Sequence, residues 1–147
     1  MYLLDTNVIS ELRKTRPHGA VAAWFASVRK DRVKIPAAVI GEIQAGVEIT
    51  RRQDARKARE IELWLERVLA FYEVIPMDAA IFREWAMLMS RKSDRLAIDG
   101  MIAATARNHG LTLVTRDVKD FRGLGVQLLN PFSYTEGSRS WPSSHLH

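Results

Sequence analysis

The chain has 147 residues, of which 47% are hydrophobic and 27% are charged, and its formal net charge is +5. These values are typical of a globular domain, and the positive charge favours polyanionic partners without deciding the fold. Because the sequence contains no cysteine, disulfides, zinc–thiolate sites, thiol catalysis and iron–sulfur clusters are excluded.

The first half of the chain predicts two strands, each followed by helices. The strand Tyr2–Leu4 ends in Asp-Thr-Asn, a helix-capping sequence, and two helical patterns follow it on either side of Pro17. The strand Arg32–Ile35 precedes a helix over Ala37–Ile49 and then a long amphipathic helix. The apolar stripe of that long helix is Ile61, Leu65, Val68 and Leu69.

The second half predicts three more strands, at Val74–Pro76, Leu111–Val114 and Val126–Leu129. Asp78 can cap a helix whose apolar positions include Ile81, Phe82 and Trp85. An alanine-rich helix over Ile98–Arg107 ends near Gly110, as at a glycine C-cap. Strands that alternate with helices predict a parallel sheet covered on both faces.

No linker divides the chain, and we expect a single domain over residues 1–132. From Ser133 onward the composition turns to serine, glycine, proline and histidine, which predicts a mobile or partner-bound tail over residues 133–147. No apolar run approaches the ~20 residues of a membrane span. Met1–Asp5 lacks the basic segment of a signal peptide, so we expect a cytoplasmic protein without a membrane partner.

Four acids fall at informative places in this pattern. Asp5 directly follows the first strand, and Asp117 follows the fourth. Glu42 lies early in the helix after the second strand, and Asp99 lies early in the alanine-rich helix. Ligands of open parallel sheets bind beyond the carboxyl ends of the strands, near the point where the strand order reverses. We therefore expect Asp5 and Asp117 to project toward the same edge.

Each acid taken alone also fits an ordinary structural role. Asp5, Asp99 and Asp117 can each cap a helix, and Glu42 can be a solvated helix residue. Taken together, carboxylates at close quarters raise one another's pKa unless a cation neutralises them. Oxygen ligands without histidine or cysteine favour Mg²⁺ or Mn²⁺ over zinc, and the four histidines have no metal-ligand spacing.

Four ordered segments carry these acids: Leu3–Ile9, Ile40–Gly46, Ile98–Ala106 and Leu113–Phe121. As a set, they resemble the PIN-domain ribonucleases, most closely the VapC and FitB type of toxin–antitoxin proteins. The resemblance runs from residue 1 to about Phe132. It implies a three-layer α/β/α sandwich with a five-stranded, mostly parallel sheet.

The resemblance also implies a function: the toxin of a type II toxin–antitoxin system, an endoribonuclease that hydrolyses RNA with Mg²⁺, or with Mn²⁺ in its place. Asp5, Glu42, Asp99 and Asp117 match the acidic positions of the family, and Asp5, Asp99 and Asp117 are the expected metal ligands. Gly100 is a mild departure, because the family often has alanine or leucine after the third acid. The implied partners are a cognate antitoxin, RNA and a second copy of the chain, with operator DNA bound only through the antitoxin.

Residues around the acids suggest further hypotheses. Thr6 and Thr115 match polar positions that hydrogen-bond to ligands or water in the family. The basic residues that are candidates to hold the RNA backbone, or else are solvated surface charges, are Arg13, Lys14, Arg91, Lys92, Arg95 and Arg116. The apolar residues that are candidates for an antitoxin-binding groove, or else belong to the core, are Ile9, Leu12, Trp24, Trp64 and Leu65. A non-catalytic PIN-fold module that acts as an antitoxin-paired regulator is the alternative to an enzyme, and the retention of all four acids favours the enzyme.

Overall fold

The computed structural model describes residues 1–135, so most of the predicted tail, residues 136–147, lies outside the described residues. Within residues 1–135, five strands form one parallel sheet: β1 (Tyr2–Leu4), β2 (Val33–Pro36), β3 (Glu73–Ile75), β4 (Thr112–Val114) and β5 (Leu128–Leu129). Their order across the sheet is β3-β2-β1-β4-β5. The strand order therefore reverses between β1 and β4, which places a crevice beyond the carboxyl ends of these two strands.

Seven α-helices connect the strands in the described part of the chain: α1 (Thr6–Arg13), α2 (Gly19–Ser27), α3 (Ala37–Arg51), α4 (Ala55–Phe71), α5 (Ala79–Met89), α6 (Ala97–His109) and α7 (Val118–Phe121). Short 3-10 turns precede β2 and α6, and a third covers Pro131–Ser133. No helix of residues 1–135 is both long and apolar enough to cross a membrane.

The two faces of the sheet bury separate clusters of apolar side chains. Successive residues of a strand point to opposite faces, so Leu3 and Leu4 of β1 belong to different clusters. The Leu3 cluster includes buried residues of α3, α4, α5 and α6, and the Leu4 cluster includes buried residues of α1 and α2. The predicted three-layer α/β/α sandwich is therefore confirmed.

The alanine-rich helix α6 packs unusually closely against α5. A Cβ at Gly100 would lie 2.7 Å from Met89 Sδ and 3.2 Å from Trp85 Cδ1, so only glycine fits here without movement of its neighbours. The Trp85 indole N–H also donates a hydrogen bond of 2.9 Å to the carbonyl of Ala97. At its other end the helix stops at Gly110, which has a left-handed φ of 64°, as the sequence predicted.

All the predicted strands are present; β1 has its predicted bounds, and the ends of the other four are shifted by at most two residues. Two apolar assignments were wrong, because Leu69 is 46% exposed and Phe82 is 45% exposed. Their neighbours Val68 and Ile81 are the residues that face the core. Tyr134, two residues into the predicted tail, still packs against the Leu4 cluster.

Candidate active site

Asp5 lies at the carboxyl end of β1, where it is only 5% exposed. Its backbone N–H donates to the carbonyl of Val114 at 3.0 Å, which ties it to the end of β4. Its carboxylate accepts a hydrogen bond of 2.8 Å from the backbone N–H of Thr6 and one of 2.7 Å from Thr115 Oγ1. Asp5 therefore caps α1 and also presents a buried carboxylate at the edge of the sheet, so the two roles considered for it are compatible.

Asn7 links Asp5 to Asp117. Its amide nitrogen lies 3.2 Å from Asp5 Oδ2 and 3.0 Å from Asp117 Oδ2. Its amide oxygen accepts the backbone N–H of Arg116 at 3.1 Å, which sets the orientation of the amide. Asp117 occupies the N-cap position of α7, as considered for it, but its side chain makes no capping bond there. The prediction that Asp5 and Asp117 share one edge is confirmed.

Glu42 reaches the same edge from α3. It is an exposed residue in the second turn of this helix, and its Oε1 accepts a hydrogen bond of 2.6 Å from Thr6 Oγ1. Thr6 therefore contacts two of the predicted acids, because its backbone N–H binds Asp5. Glu42 is therefore a solvated helix residue, one of the two roles considered for it, and it also lies beside the other acids.

Asp99 is the third residue of α6, inside the helix rather than at its N-cap. Burial, together with nearby negative charges, raises the pKa of Asp99 from its usual value to about 6. Four other negative charges add to the rise, those of Asp5, Asp120, Glu42 and Asp117. Asp99 is therefore electrostatically coupled to the other three predicted acids and to Asp120.

The pKa of Asp5 is also raised. Burial raises the pKa of Asp5, and hydrogen bonds from Thr115 and Thr6 oppose this rise. The negative charges of Glu42 and Asp117 raise the pKa further. Among residues 1–135, no lysine, arginine or histidine forms an ion pair with any of the four predicted acids. The negative charge of the cluster is thus left without a cationic side chain, although the chain as a whole is basic.

The donor atoms and the charge of the cluster determine whether a metal ion fits it. In the described part of the chain, no three acidic or histidine side chains already converge as ligands of one ion. The available donors are carboxylate and hydroxyl oxygens, the ligand type that Mg²⁺ and Mn²⁺ prefer. An ion there would also neutralise the charge that raises the pKa values of Asp5 and Asp99. The donor chemistry and the charge of this site therefore fit a divalent cation.

Comparison with known proteins agrees with this geometry. The PIN domain family model matches residues 2–126, and with them all four acids. The chain belongs to the PIN-domain family. Toxin FitB of Neisseria gonorrhoeae is 33% identical, covering 90% of this chain and 99% of FitB. VapC ribonuclease Y4jK of Sinorhizobium fredii is 35% identical, covering 90% of this chain and 98% of the relative. The crystal structure of FitAcB from Neisseria gonorrhoeae superposes with a TM-score of 0.79 at 33% identity, covering 90% of this chain and 99% of that chain.

Two residues of this PIN-domain site were missed by sequence reasoning. Asn7 was interpreted only as part of a capping sequence, and Asp120 was given no role at the site. The position of Asn7 could have indicated its role. It lies two residues after Asp5, close enough to the end of β1 for its side chain to reach the neighbouring strand. Asp120 lies three residues after Asp117, a spacing that brings side chains to one face of a helix.

The basic residues proposed for RNA binding differ in their contacts. Arg116 adjoins Asp117, and its guanidinium lies over the ring of Phe132. Arg13 lines a groove beside Glu42. Lys14 instead forms an ion pair of 3.0 Å with Glu11. For Arg91, Lys92 and Arg95, no ion pair with the acids is present within residues 1–135.

The apolar groove proposed from the early helices needs correction. Ile9, Trp24 and Leu65 are at most 3% exposed and belong to the core, so they cannot line a docking surface. Leu12 and Trp64 are partly buried. A groove of about 290 Å³ does run between α1, α3 and α4, and Trp64 lines it together with Thr6, Ser10, Arg13, Glu42 and Val47. This PIN domain therefore has an open groove that leads to Glu42.

Proposed function

We propose that this chain is a divalent-metal-dependent endoribonuclease and the toxin of a type II toxin–antitoxin pair. The observation that carries the proposal is the uncompensated carboxylate cluster at the point where the strand order reverses, whose field and burial raise the pKa of Asp99 to about 6. The names of the two relatives, Toxin FitB and VapC ribonuclease Y4jK, support toxin and ribonuclease activity.

In this proposal Asp5, Asp99 and Asp117 hold the ion, which is Mg²⁺ with Mn²⁺ as a substitute. A bound divalent ion offsets the charge of the scissile phosphate and makes water more acidic. Asn7 and Thr115 fix Asp5 and Asp117 by hydrogen bonds, so these carboxylates are oriented before RNA arrives. Glu42 is exposed and held by Thr6, and we assign it the transfer of a proton from the attacking water.

The expected partners follow from the surface around the acids. The groove that leads to Glu42 combines the apolar wall of Trp64 with an acidic end, which suits an antitoxin helix or extended peptide that inserts a basic side chain. RNA is the substrate, and a homodimer is the expected assembly. Operator DNA is bound through the antitoxin, and the expected location is the cytoplasm.

The enzymatic part is tested by incubating a mixed RNA pool with purified protein in EDTA, Mg²⁺ and Mn²⁺. We expect cleavage only with a divalent ion, and we expect Asp5→Asn and Asp99→Asn to abolish it while leaving the far-ultraviolet circular dichroism spectrum unchanged. Glu66→Gln is the matched control, since it removes one negative charge from an exposed position of α4. Near-wild-type cleavage by either aspartate variant would contradict the assignment.

The non-catalytic alternative makes a different prediction. A folded wild-type protein that leaves every RNA intact in Mn²⁺, but binds a small protein encoded beside it, would be a regulator rather than a nuclease. The toxin part is tested separately by expression in a bacterial host. We expect growth arrest that depends on Asp5 and Asp99 and is relieved by co-expression of the neighbouring protein.

A further inference from the structure

A cation–aromatic pair lies beside the acids. The guanidinium carbon of Arg116 is 4.6 Å from the centroid of the Phe132 ring. Arg116 is exposed and directly precedes Asp117, yet within residues 1–135 it forms no ion pair with any carboxylate. The proposed function gives no task to Phe132.

Two backbone hydrogen bonds hold this pair in place, one to each partner. The backbone N–H of Arg116 donates to Asn7 Oδ1, the same amide that contacts Asp5 and Asp117. The backbone N–H of Phe132 donates to Asn130 Oδ1 at 3.0 Å, at the start of the 3-10 turn. Because the backbone of each partner is anchored, a ligand bound here would meet a preorganised surface, and less entropy would be lost on binding.

A second ring extends the surface. The imidazole of His18 lies 5.2 Å from the Phe132 ring, centroid to centroid, with the planes inclined by 60°. The backbone N–H of His18 donates to Glu11 Oε2 at 3.2 Å, and its Nδ1 accepts the backbone N–H of Ala20 at 3.2 Å. We call Arg116, Phe132 and His18 the stacking platform.

The composition of the stacking platform indicates its ligand. Unpaired RNA bases stack on aromatic rings and on the planar guanidinium of arginine, whereas bases within a double helix are already stacked and out of reach. Arginine serves this purpose and lysine does not, because only the guanidinium is planar. Solvated arginines also bind phosphates, but such a contact does not require an aromatic ring beneath the guanidinium.

We propose that the stacking platform binds one base of a single-stranded RNA substrate, on the outer face of the Arg116 guanidinium, next to the phosphate that is cleaved at the acids. This inference rests on the proposed function and deepens it, since it assigns a base-binding subsite beside the acids to Arg116 and Phe132. Asn7 connects the two sites, because one side chain contacts the backbone of Arg116 and the carboxylates of Asp5 and Asp117.

The test measures RNA binding by fluorescence anisotropy in Mg²⁺, in a Glu42→Gln background that keeps the three proposed metal ligands. The probes are a labelled single-stranded RNA that the wild type cleaves, the same RNA with one abasic residue at each position in turn, and the same sequence annealed to its complement. The variants are Arg116→Lys, which keeps the charge, Arg116→Ala, and Phe132→Leu, with Arg67→Lys on α4 as the matched control.

Stacking on one residue contributes about fivefold or more to affinity. We expect Arg116→Lys and Phe132→Leu to weaken single-strand binding by at least that factor, and Arg67→Lys to leave it unchanged. One abasic position should weaken binding to the parent protein but not to Arg116→Lys. The duplex should bind more weakly than the single strand. With cleavage-competent Glu42, Arg116→Lys should raise KM and change kcat less than twofold.

The failures are distinguishable. If Arg116→Lys binds as the parent does and only Arg116→Ala is weak, the residue contacts phosphate and the stacking inference is overturned, while the nuclease assignment stands. Equal binding of every abasic probe, or of the duplex, overturns it in the same way. Absence of RNA cleavage by the wild type with any divalent ion overturns the proposed function and this inference with it. Melting temperatures of the variants identify any that fail to fold, and Arg116→Lys, an exposed substitution, keeps the test decisive.

Discussion

Thr115 donates its hydroxyl hydrogen to the buried carboxylate of Asp5 across 110 residues of sequence, at 2.7 Å. The same hydroxyl accepts the backbone N–H of Asp117 at 2.9 Å. Thr115 itself is fully buried, so its hydroxyl is shielded from water. One hydroxyl therefore sets the relative position of two of the proposed metal ligands.

Replacing Thr115 with valine removes both bonds while keeping the shape of the side chain. We expect the free energy of unfolding to fall by about 1–3 kcal/mol, because a buried carboxylate oxygen and a backbone N–H each lose a partner. The pKa of Asp5 should rise further, since the bond from Thr115 is the largest influence that lowers it. Urea denaturation in EDTA measures the loss, and Thr115→Ser, which keeps the hydroxyl, should recover most of it.

The raised pKa of Asp99 predicts how stability depends on pH. With a folded pKa of about 6 against an ordinary value of 3.8, the folded state holds this proton more tightly than the unfolded state. The contribution of Asp99 therefore lowers stability as the pH rises from about 4 to about 6, and the loss persists above pH 6. In EDTA, Asp99→Asn should melt higher than the wild type at pH 7, and the two should converge near pH 4. A variant that melts lower at pH 7 would contradict this prediction.

A divalent ion should reverse that loss. An ion that binds only the folded state stabilises it by about 2.7 kcal/mol at a hundredfold excess over its Kd. For a domain of this size, the melting temperature should rise by roughly 5–10 °C. Differential scanning calorimetry in EDTA, Mg²⁺ and Mn²⁺ measures the change. Asp99→Asn should show a smaller gain, whereas the control Glu66→Gln should keep all of it. The absence of a shift in the wild type at millimolar Mn²⁺ would show that the cluster binds no metal.

The close packing at Gly100 predicts that this glycine is needed to keep Asp99 in position. A methyl group at this position would meet Met89 Sδ and Trp85 Cδ1, so Gly100→Ala should destabilise the protein by about 1–3 kcal/mol and displace the first turn of α6. Cleavage should fall with it, since Asp99 lies in that turn. Gly41→Ala in α3 is the control, because a Cβ there contacts nothing within 4 Å. It should stabilise the helix by about 0.5–1 kcal/mol, and chemical denaturation compares the two.

The sequence was sufficient to place the acids because each follows a short apolar strand or begins a strongly patterned helix. Asp5 and Asp117 could be assigned to one edge once the strands were recognised as parallel. Asp120 was missed because α7 has only four residues, too few to show a periodicity. Asn7 was missed because two of its partners, Asp117 and the backbone of Arg116, come within reach of it only on folding.

The errors in the predicted core have a geometric cause. Adjacent residues of a helix point about 100° apart, so a pair such as Val68 and Leu69 cannot both face the same neighbour. Composition alone does not say which member turns inward. Val68 is 6% exposed and Leu69 is 46% exposed, and Ile81 and Phe82 divide in the same way. Only the packing of α4 and α5 against the sheet decides between them.

The strand order also determines how much of the chain must be made before the proposed site can assemble. β1 and Asp5 precede the strand that completes their surroundings, β4, by more than a hundred residues. A nascent chain that has emerged only as far as α6 lacks Thr115 and Asp117, and its Asp5 has no partner on that side. For the proposed nuclease, a length of chain that stops at α6 therefore lacks one proposed metal ligand and the hydroxyl that positions another.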